Sequence, residues 1–251
     1  MARALAIIPA RGQSKGLPGK HLLRLGGKTL IERALHSARE ATCLHRVLVS
    51  TEDYGLFRHA QDAGAEVLQR PDALATDECG MIPVLQHAVR FVEYQGERYD
   101  LIVLLQPTSP FRTGEDIDET VGLMETDRWA ESAQTLVAAP YCPGHVCVLR
   151  EDNVVDFPTE AHARGDHQRQ ACQPFYIPSG SVYVVKRAAL VKGRLITDHH
   201  RGHVVPWERS LNINTPWDFE IARMVHRKLN PCRMCETAAQ GGECTCKDVW
   251  P

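Results

Sequence analysis

The sequence predicts an α/β domain built on a three-layer, mostly parallel, doubly wound sheet. Apolar, strand-like segments alternate with amphipathic, helix-like segments along most of the chain, and this alternation is typical of a parallel sheet covered by helices on both faces. Residues 101–105 are apolar without interruption, as expected of a central strand that is buried on both faces. A length of 251 residues with 43% hydrophobic residues suits one large domain with a sizeable core.

Each predicted element follows from a local pattern. Apolar residues recur at helical spacing from Leu30 to Ala38 and predict the first helix. Gly64 ends the second helix, and Pro216 suits the start of the last one. The predicted helices are 28–41, 54–63, 81–93, 117–125 and 216–229, and the predicted strands are 5–9, 46–50, 66–68, 101–105, 133–138 and 182–185, with an edge strand at 203–205.

The alternation breaks between about residues 140 and 177, where short strands such as 144–150 are separated by polar stretches, notably 159–170. We therefore expect one α/β domain over residues 1–229, which contains an insertion at about 140–177, and a separate cysteine-rich tail over residues 230–251.

The segment after the first strand carries a clear chemical signal. Residues 10–20 (ARGQSKGLPGK) are rich in glycine and in basic residues. Glycines let the backbone approach a ligand and point its N–H groups at an anion, and Arg11, Lys15 and Lys20 add the positive charge that a triphosphate requires. The segment is neither a P-loop nor a dinucleotide-binding Gly-x-Gly-x-x-Gly motif. A basic surface turn without a ligand is the alternative interpretation.

A series of further motifs follows this loop, and together they span about residues 5–225. The motifs are PARGQSKG at 9–16, VSTED at 49–53, RPDALATD at 70–77, LLQPTSPFRT at 104–113, RQ at 169–170 followed by PSGSVY at 178–183, and LNINTPWD at 211–218. This ordered series resembles the CMP-sialic acid synthetases (N-acylneuraminate cytidylyltransferases), whose relatives activate Kdo and other 2-keto sugar acids. The chain is identified as a divergent member of that family.

The resemblance implies a fold like that of the nucleotide-diphospho-sugar transferases and a nucleotidyl transfer. In that reaction a hydroxyl of a 2-keto sugar acid attacks the α-phosphorus of CTP, and pyrophosphate leaves. The resemblance also implies a magnesium ion that bridges the phosphate oxygens, and a homodimer whose contact lies in an antiparallel insertion. Such a transfer depends on positioning and charge neutralisation more than on a covalent nucleophile.

The resemblance assigns the nucleotide to residues of two motifs. Arg11 and Lys20 are expected to act in catalysis by holding the triphosphate, with help from Lys15 and from backbone N–H groups between Gly12 and Gly16. Arg70 and Asp77 resemble the cytidine-side residues of the family, although a role as caps of a strand end and of the next helix is the alternative. The expected nucleotide-binding residues are Ala10, Arg11, Gly12, Ser14, Lys15, Lys20, Arg70 and Asp77.

The acceptor is expected to contact Gln106, Arg169 and Tyr176. Gln106 follows the central strand, and ligands of open α/β sheets bind beyond the carboxyl ends of the strands. The guanidinium fork of Arg169 suits the carboxylate of a sugar acid, although a solvated arginine in a polar loop is the alternative. Tyr176 is expected to line the sugar pocket, and core packing explains it equally well. Arg112 is either a ligand contact or a structural clamp of its turn.

Six positions depart from the family pattern, among them Ser179 and Ser181, which replace the usual asparagine and alanine. Asn212 and Asn214 stand where the family usually has aspartates that resemble magnesium ligands, and Gly80 and Met81 stand where it usually has serines. An asparagine keeps an oxygen but loses the negative charge that hard cations prefer, so metal binding is expected to be weakened. Three explanations stay open: the metal is held mainly by CTP, the nucleotide or the acceptor differs (for example a phosphonate or a phosphorylated acceptor), or catalysis is lost and ligand binding is kept.

The composition excludes several other classes of protein. A net charge of −2 argues against a nucleic-acid binder. No run approaches the roughly eighteen apolar residues of a membrane span, and residues 5–9 are too short for a secretory signal. Nine cysteines without such a signal indicate a reducing cytoplasm rather than a disulfide framework.

The tail contains two closely spaced cysteine pairs. Cys232 and Cys235 have a common zinc spacing, and Cys244 and Cys246 complete a set of four thiols that is able to hold structural zinc. A redox pair or a flexible tail is the alternative.

Overall fold

The computed structural model describes residues 2–141, 146–157 and 174–230. Eleven strands are described, at β1 (Ala4–Pro9), β2 (Arg24–Leu25), β3 (Lys28–Thr29), β4 (Leu44–Thr51), β5 (Glu66–Gln69), β6 (Leu101–Leu105), β7 (Ser132–Ala138), β8 (Val148–Leu149), β9 (Val155–Asp156), β10 (Tyr176–Lys186) and β11 (His200–Val204). Six α-helices are described, at α1 (Leu30–Glu40), α2 (Tyr54–Asp62), α3 (Met81–Tyr94), α4 (Gly114–Thr126), α5 (Arg187–Val191) and α6 (Pro216–Leu229).

Seven of these strands form one twisted sheet in the order β11-β7-β10-β6-β1-β4-β5. Strands β5, β4, β1 and β6 are parallel neighbours, and β11 is parallel to β7. Only β10 runs antiparallel to its neighbours β6 and β7 within the described ranges. The predicted mostly parallel sheet is therefore confirmed.

The sheet is covered on both faces because the side chains of a strand alternate between the two faces. In β1, Ala6 and Ile8 pack with α1, α2 and α4 on one face, whereas Leu5 and Ile7 pack with α3 and α5 on the other. All six residues of β1 are buried, as are all five of β6. These two central strands form the middle layer of the predicted three-layer fold.

Caps explain where the helices begin. The first helix begins at Leu30 rather than at 28, because residues 28–29 pair with 24–25 in a hairpin and Thr29 and Glu32 form a capping box. Thr113 and Asp116 form a second capping box, so α4 begins at Gly114, ahead of the predicted 117. The last helix begins at 216 and ends at 229, as predicted, behind the cap residue Thr215.

The insertion is described only in part. Residues 148–149 and 155–156 form a small antiparallel hairpin, and β10 is much longer than the predicted 182–185 because its first residues pair with β7. Residues 142–145, 158–173 and 231–251, which include Arg169 and the four tail cysteines, lie outside the described residues. The edge position of the strand predicted at 203–205 is confirmed by β11.

None of the helices in the described ranges combines the length and the apolar character that crossing a bilayer requires.

Candidate active site

Two adjoining cavities lie beyond the carboxyl ends of the parallel strands. Because β1, β4, β5 and β6 run in the same direction, the residues that follow them meet at one edge of the sheet. The first cavity, of about 290 Å³, is lined by Pro9, Arg11, Lys20, His21, Arg70, Leu74, Ala75, Thr76, Cys79, Met81, Val84, Gln106, Pro107, Thr108 and Asn214. The second, of about 520 Å³, is lined by Arg11, Gly12, Gln13, Ser14, Lys15, Pro18, Ala75, Thr76, Asp77 and Glu78.

The backbone of the loop after β1 is packed too closely for side chains at two glycines. A Cβ atom at Gly12 would lie 2.6 Å from Oδ2 of Asp53, and a Cβ atom at Gly16 would lie 2.4 Å from the carbonyl oxygen of Asn214. The loop therefore approaches both the start of α2 and the segment before α6 through glycine. This close approach fixes the path of the backbone beside the second cavity.

Two cations of the loop converge on one carboxylate. Nη1 of Arg11 lies 2.7 Å from Oδ1 of Asp77, and Nζ of Lys15 lies 2.7 Å from Oδ2 of the same residue. The hydrogen bonds from Lys15 and Arg11 lower the pKa of the Asp77 carboxyl. Asp77 does not cap α3, whose cap residue is Gly80. Its two carboxylate oxygens instead contact the cationic groups of Arg11 and Lys15, which are suited to bind anionic oxygens.

A buried ion pair braces the start of the loop. Nη2 of Arg70 donates to Oε2 of Glu52 at 2.6 Å, and the backbone N–H of Gly12 donates to Oε1 of Glu52 at 2.7 Å. Only 4% of Arg70 is exposed. Burial favours the protonated carboxyl, but the bonds from Arg70 and Gly12 outweigh it and lower the pKa of Glu52. Arg70 therefore holds the loop in place through Glu52 and also forms part of the cavity wall.

Lys20 lies in the wall of the first cavity and is held by the segment before α6. Its Nζ donates to Oδ1 of Asn214 at 3.0 Å and to the carbonyl oxygen of Ile213 at 3.2 Å. Burial, reinforced by the charge of Arg11 and opposed by that of Asp218, lowers the pKa of the Lys20 ammonium. Ile213 is itself fixed, because it is fully buried and its N–H donates to the carbonyl oxygen of Thr108.

The residues assigned to magnesium by resemblance do not form a charged metal cage. Oδ1 of Asn214 accepts from Lys20, and Oδ1 of Asn212 accepts from Nδ2 of Asn214 at 3.5 Å. Oδ2 of Asp218 accepts the N–H groups of Asn214 and Thr215 at the start of α6. Within the described ranges, no group of three or more His, Cys, Asp or Glu residues is arranged to hold a metal. Two neutral amides do not fit a magnesium ion held by the protein.

Gln106 and Thr108 line the first cavity after the central strand β6. Their turn is held by Arg112, which is buried and donates through Nη1 to the carbonyl oxygens of Gln106 at 3.1 Å and Ser181 at 2.8 Å. Burial lowers the pKa of Arg112 to about 10. These contacts favour the interpretation of Arg112 as a structural clamp of its turn.

The structure brings most of the predicted nucleotide residues to the two cavities. Arg11, Lys20 and Arg70 line the first, and Gly12, Ser14, Lys15 and Asp77 line the second. Ala10 is buried, and its N–H donates to the carbonyl oxygen of Ser50. Of the predicted acceptor residues, Gln106 lines the first cavity, whereas Tyr176 is 46% exposed at the start of β10 and lines neither cavity.

Two residues of the site were missed by the sequence analysis. Glu52 follows β4 at the same edge of the sheet, and its place in the motif at 49–53 was the available signal. His21 follows Lys20 directly and is buried in the wall of the first cavity. No periodicity or spacing marks a histidine in that position.

Sequence comparison places the chain beside cytidylyltransferases. The chain is 31% identical over 237 residues to the N-acylneuraminate cytidylyltransferase of Escherichia coli O18:K1:H7 (strain RS218). The aligned region covers 91% of this chain and 53% of that protein. It is 24% identical to the pseudaminic acid cytidylyltransferase of Campylobacter jejuni serotype O:2 (strain NCTC 11168), and the aligned region covers 89% of this chain and 96% of that protein. The chain spans about half the length of several curated relatives that it matches, including the E. coli protein.

Solved structures share the fold. A CMP:2-keto-3-deoxy-manno-octonic acid synthetase complexed with CTP matches with a TM-score of 0.66 and 18% identity, over 91% of this chain and 100% of that chain. A 4-diphosphocytidyl-2C-methyl-D-erythritol synthase from Anaerococcus prevotii DSM 20548 matches with a TM-score of 0.60 and 14% identity, over 89% of this chain and 97% of that chain. The predicted fold class is confirmed by these likenesses.

Residues 5–160 match a family model described as cytidylyltransferase. This match covers more than half of the 251 residues, and it includes the glycine-rich loop, the Arg70–Glu52 pair and the turn after β6. The motifs at 9–16, 49–53, 70–77 and 104–113 lie within this match, and residues of three of them line the cavities. The chain belongs to the cytidylyltransferase family.

Proposed function

We propose that the protein transfers CMP from CTP to a hydroxyl of a sialic-acid-like 2-keto sugar acid and releases pyrophosphate. The observation that carries this proposal is the convergence of Arg11 and Lys15 on the Asp77 carboxylate beside two adjoining cavities. Cations that gather around one carboxylate are equally suited to phosphate oxygens, which have similar size and stronger charge. The triphosphate is expected to take over these contacts from Asp77.

The division between the two cavities supports separate places for the two substrates. The second cavity is bordered by the loop from Gly12 to Lys15, whose backbone and cations suit the phosphates. The first cavity adds Gln106 and Thr108, whose polar groups suit sugar hydroxyls. Lys20 lies in its wall, where its ammonium would neutralise the charge that develops on the transferred phosphate.

The relatives indicate the class of acceptor. Their names refer to N-acylneuraminate, pseudaminic acid and N,N'-diacetyllegionaminic acid. An acid of this class carries one carboxylate, and Arg169 is the residue proposed to bind it. Magnesium is proposed to enter with CTP, held by the phosphate oxygens, because the two asparagines offer it no charge.

A second candidate acceptor is a phosphonate or a phosphorylated acid. Asn212 and Asn214 leave the site more positive than a pair of aspartates would, and the ammonium of Lys20 is bonded only to neutral oxygens among the described residues. A more positive site favours a more negatively charged acceptor. This candidate keeps the same nucleotide chemistry and changes only the acceptor.

A homodimer and a cytoplasmic location complete the proposal. Exposed apolar side chains cluster around the hairpin and the start of β10, including Val148, Leu149, Val155 and Ile177. Exposed apolar side chains on neighbouring segments support a dimer contact in the insertion. Neither nucleic acid nor a membrane is proposed as a partner. Zinc in the cysteine-rich tail stays a prediction.

The decisive experiment is an assay of pyrophosphate release from ATP, CTP, GTP and UTP with magnesium, against a panel of sialic acids, Kdo and phosphonates. We expect release with CTP and one class of acid only. Lys20→Met should abolish release, whereas Lys28→Met, which changes an exposed lysine of the nearby hairpin, should not. CTP binding without release for any acceptor would contradict the proposal and indicate a non-catalytic nucleotide-binding relative.

A further inference from the structure

His21 is a buried imidazole to which the roles proposed above give no function. Only 5% of its surface is exposed, and its Nδ1 lies 3.0 Å from the carbonyl oxygen of Arg11. A carbonyl oxygen only accepts hydrogen bonds, so Nδ1 carries the proton and donates. In the neutral ring the lone pair is therefore on Nε2.

The ring is neutral at physiological pH. Burial lowers the pKa of His21 to about 4, although its bond to the Arg11 backbone opposes the shift, and the charges of Lys20, Arg11 and Arg70 lower it further. These three cations are the charged groups that face the ring from the loop and from the end of β5. An imidazole in this setting is a hydrogen-bond acceptor surrounded by donors.

The free nitrogen belongs to the wall of the first cavity. His21 shares that wall with Lys20, to which we assigned the phosphates, and with Gln106 and Thr108, to which we assigned the acceptor. Nε2 has no hydrogen-bond partner among the described residues. The described wall of this cavity contains no Asp or Glu, so no carboxylate competes with His21 for a proton there.

We propose that His21 is a catalytic residue whose Nε2 accepts the proton of the attacking acceptor hydroxyl. The inference rests on the proposed CMP transfer and adds the group that activates its nucleophile. As the bond between the hydroxyl oxygen and the α-phosphorus forms, the proton moves to Nε2. The bond from the α-phosphorus to pyrophosphate breaks, and pyrophosphate leaves with the electron pair. The imidazolium then returns its proton to water.

Bound CTP adjusts the ring for this task. Burial, the largest cause of the lowered pKa of His21, persists in the complex, but the phosphates place negative charge beside Lys20 and Arg11 and offset the part of the shift that these cations cause. The basicity of Nε2 therefore rises when the nucleotide is in place. A base that becomes stronger only in the CTP complex is best able to accept the proton when the acceptor hydroxyl attacks the α-phosphorus.

Two variants separate this role from a structural one. In His21→Asn the amide nitrogen can still donate to the Arg11 carbonyl oxygen, but nothing replaces Nε2. In His21→Gln the amide reaches the position of Nε2 but does not titrate, and the bond to Arg11 is lost. The first measurement is kcat and kcat/KM of the full chain between pH 5 and 9. The second is the number of protons taken up when CTP binds without acceptor at pH 6, which is obtained from calorimetric titrations in two buffers with different ionisation enthalpies.

In the wild-type protein, kcat should fall on the acid side at a higher pH than kcat/KM does, and CTP binding should take up protons. In His21→Asn we expect kcat to fall about 100-fold, the acid limb to disappear and proton uptake to vanish, with CTP affinity within about threefold of wild type. In His21→Gln kcat should also stay low. If His21→Asn kept the wild-type kcat and the acid limb of its pH profile, the proposed role of His21 would be overturned. Absence of turnover in the wild-type protein would instead overturn the proposed function, and this role with it.

Discussion

The ammonium of Lys20 and the amide of Asn214 are joined by a hydrogen bond of 3.0 Å, which ties the loop after β1 to the segment before α6. The same two segments touch again where Gly16 faces the carbonyl oxygen of Asn214. A residue that by resemblance would hold a metal therefore serves here to orient a cation of the phosphate loop. The charge at this place is carried by the protein itself, as an ammonium.

Replacing both asparagines by aspartate should create a metal site. In the double variant Asn212→Asp, Asn214→Asp, two carboxylates replace two amides, and we expect the nucleotide-free protein to bind Mn²⁺ at least about tenfold more tightly, because each added charge attracts the cation strongly at contact distance. Mn²⁺ titration followed by electron paramagnetic resonance measures this. The double variant Asn212→Gln, Asn214→Gln is the neutral control. The prediction would be contradicted if the aspartate variant and the wild-type protein bound Mn²⁺ with the same affinity.

Removing the charge of Asp77 should strengthen CTP binding. Asp77→Asn frees Arg11 and Lys15 from an internal anion, and because this pair of contacts is partly exposed, the gain in affinity should be modest, about two- to fivefold. Calorimetric titration with CTP at low and high salt is the measurement. Asp72→Asn, an exposed change in the same segment, should have little effect. Weaker binding by Asp77→Asn would show that the carboxylate contacts the nucleotide directly.

Breaking the buried pair of Arg70 and Glu52 should destabilise the protein. Arg70→Met leaves the partly buried Glu52 carboxylate with the Gly12 N–H as its remaining partner. Breaking a fully buried pair typically costs about 3–5 kcal/mol, so we expect a loss of about 2–3 kcal/mol here. The double variant Arg70→Met, Glu52→Gln removes both charges and should recover part of that loss. Urea unfolding of the three proteins measures the difference. Equal stability of Arg70→Met and the wild-type protein would show that the pair does not brace the loop.

A side chain at Gly16 should weaken nucleotide binding without unfolding the domain. The Cβ atom of Gly16→Ala would meet a backbone oxygen at 2.4 Å, so the loop must move away from Asn214. We expect CTP affinity to fall at least about tenfold, an amount that corresponds to a loss of about 1.4 kcal/mol. Gly122→Ala is the matched control, because nothing lies within 4 Å of its Cβ position in α4, and alanine should stabilise that helix slightly.

His21 should make the stability of the folded protein depend on pH. Its folded pKa of about 4 lies below the ordinary value of 6.5, so between these values the unfolded chain binds a proton that the folded protein does not. Stability should therefore fall as the pH decreases from 6.5 to 4, by about 3 kcal/mol in total for this group. The difference between the unfolding free energies of the wild-type protein and His21→Asn should shift by that amount over this range. A difference that is constant with pH would contradict the prediction.

Local patterns in the sequence were sufficient to predict most of the fold. The uninterrupted apolar runs at 5–9 and 101–105 identified β1 and β6 as buried strands, because only a strand covered on both faces is apolar at every position. The first helix was predicted to begin two residues too early, since pairing of 28–29 with 24–25 is a contact between segments that helical periodicity does not reveal. The short helix α5 was missed for a similar reason, because five residues are too few to establish a period.

The sequence by itself determined the family, the parallel sheet and the position of the phosphate loop, because these depend on motifs and on the alternation of apolar residues along the chain. Only the tertiary structure decided which charges meet. Asp77 faces Arg11 and Lys15, Glu52 pairs with Arg70, and Asn214 holds Lys20 across 194 positions of the sequence. It also buried His21 beside the cavity. These relationships arise because a parallel sheet brings the ends of distant strands to one edge, and no local pattern encodes the distances between them.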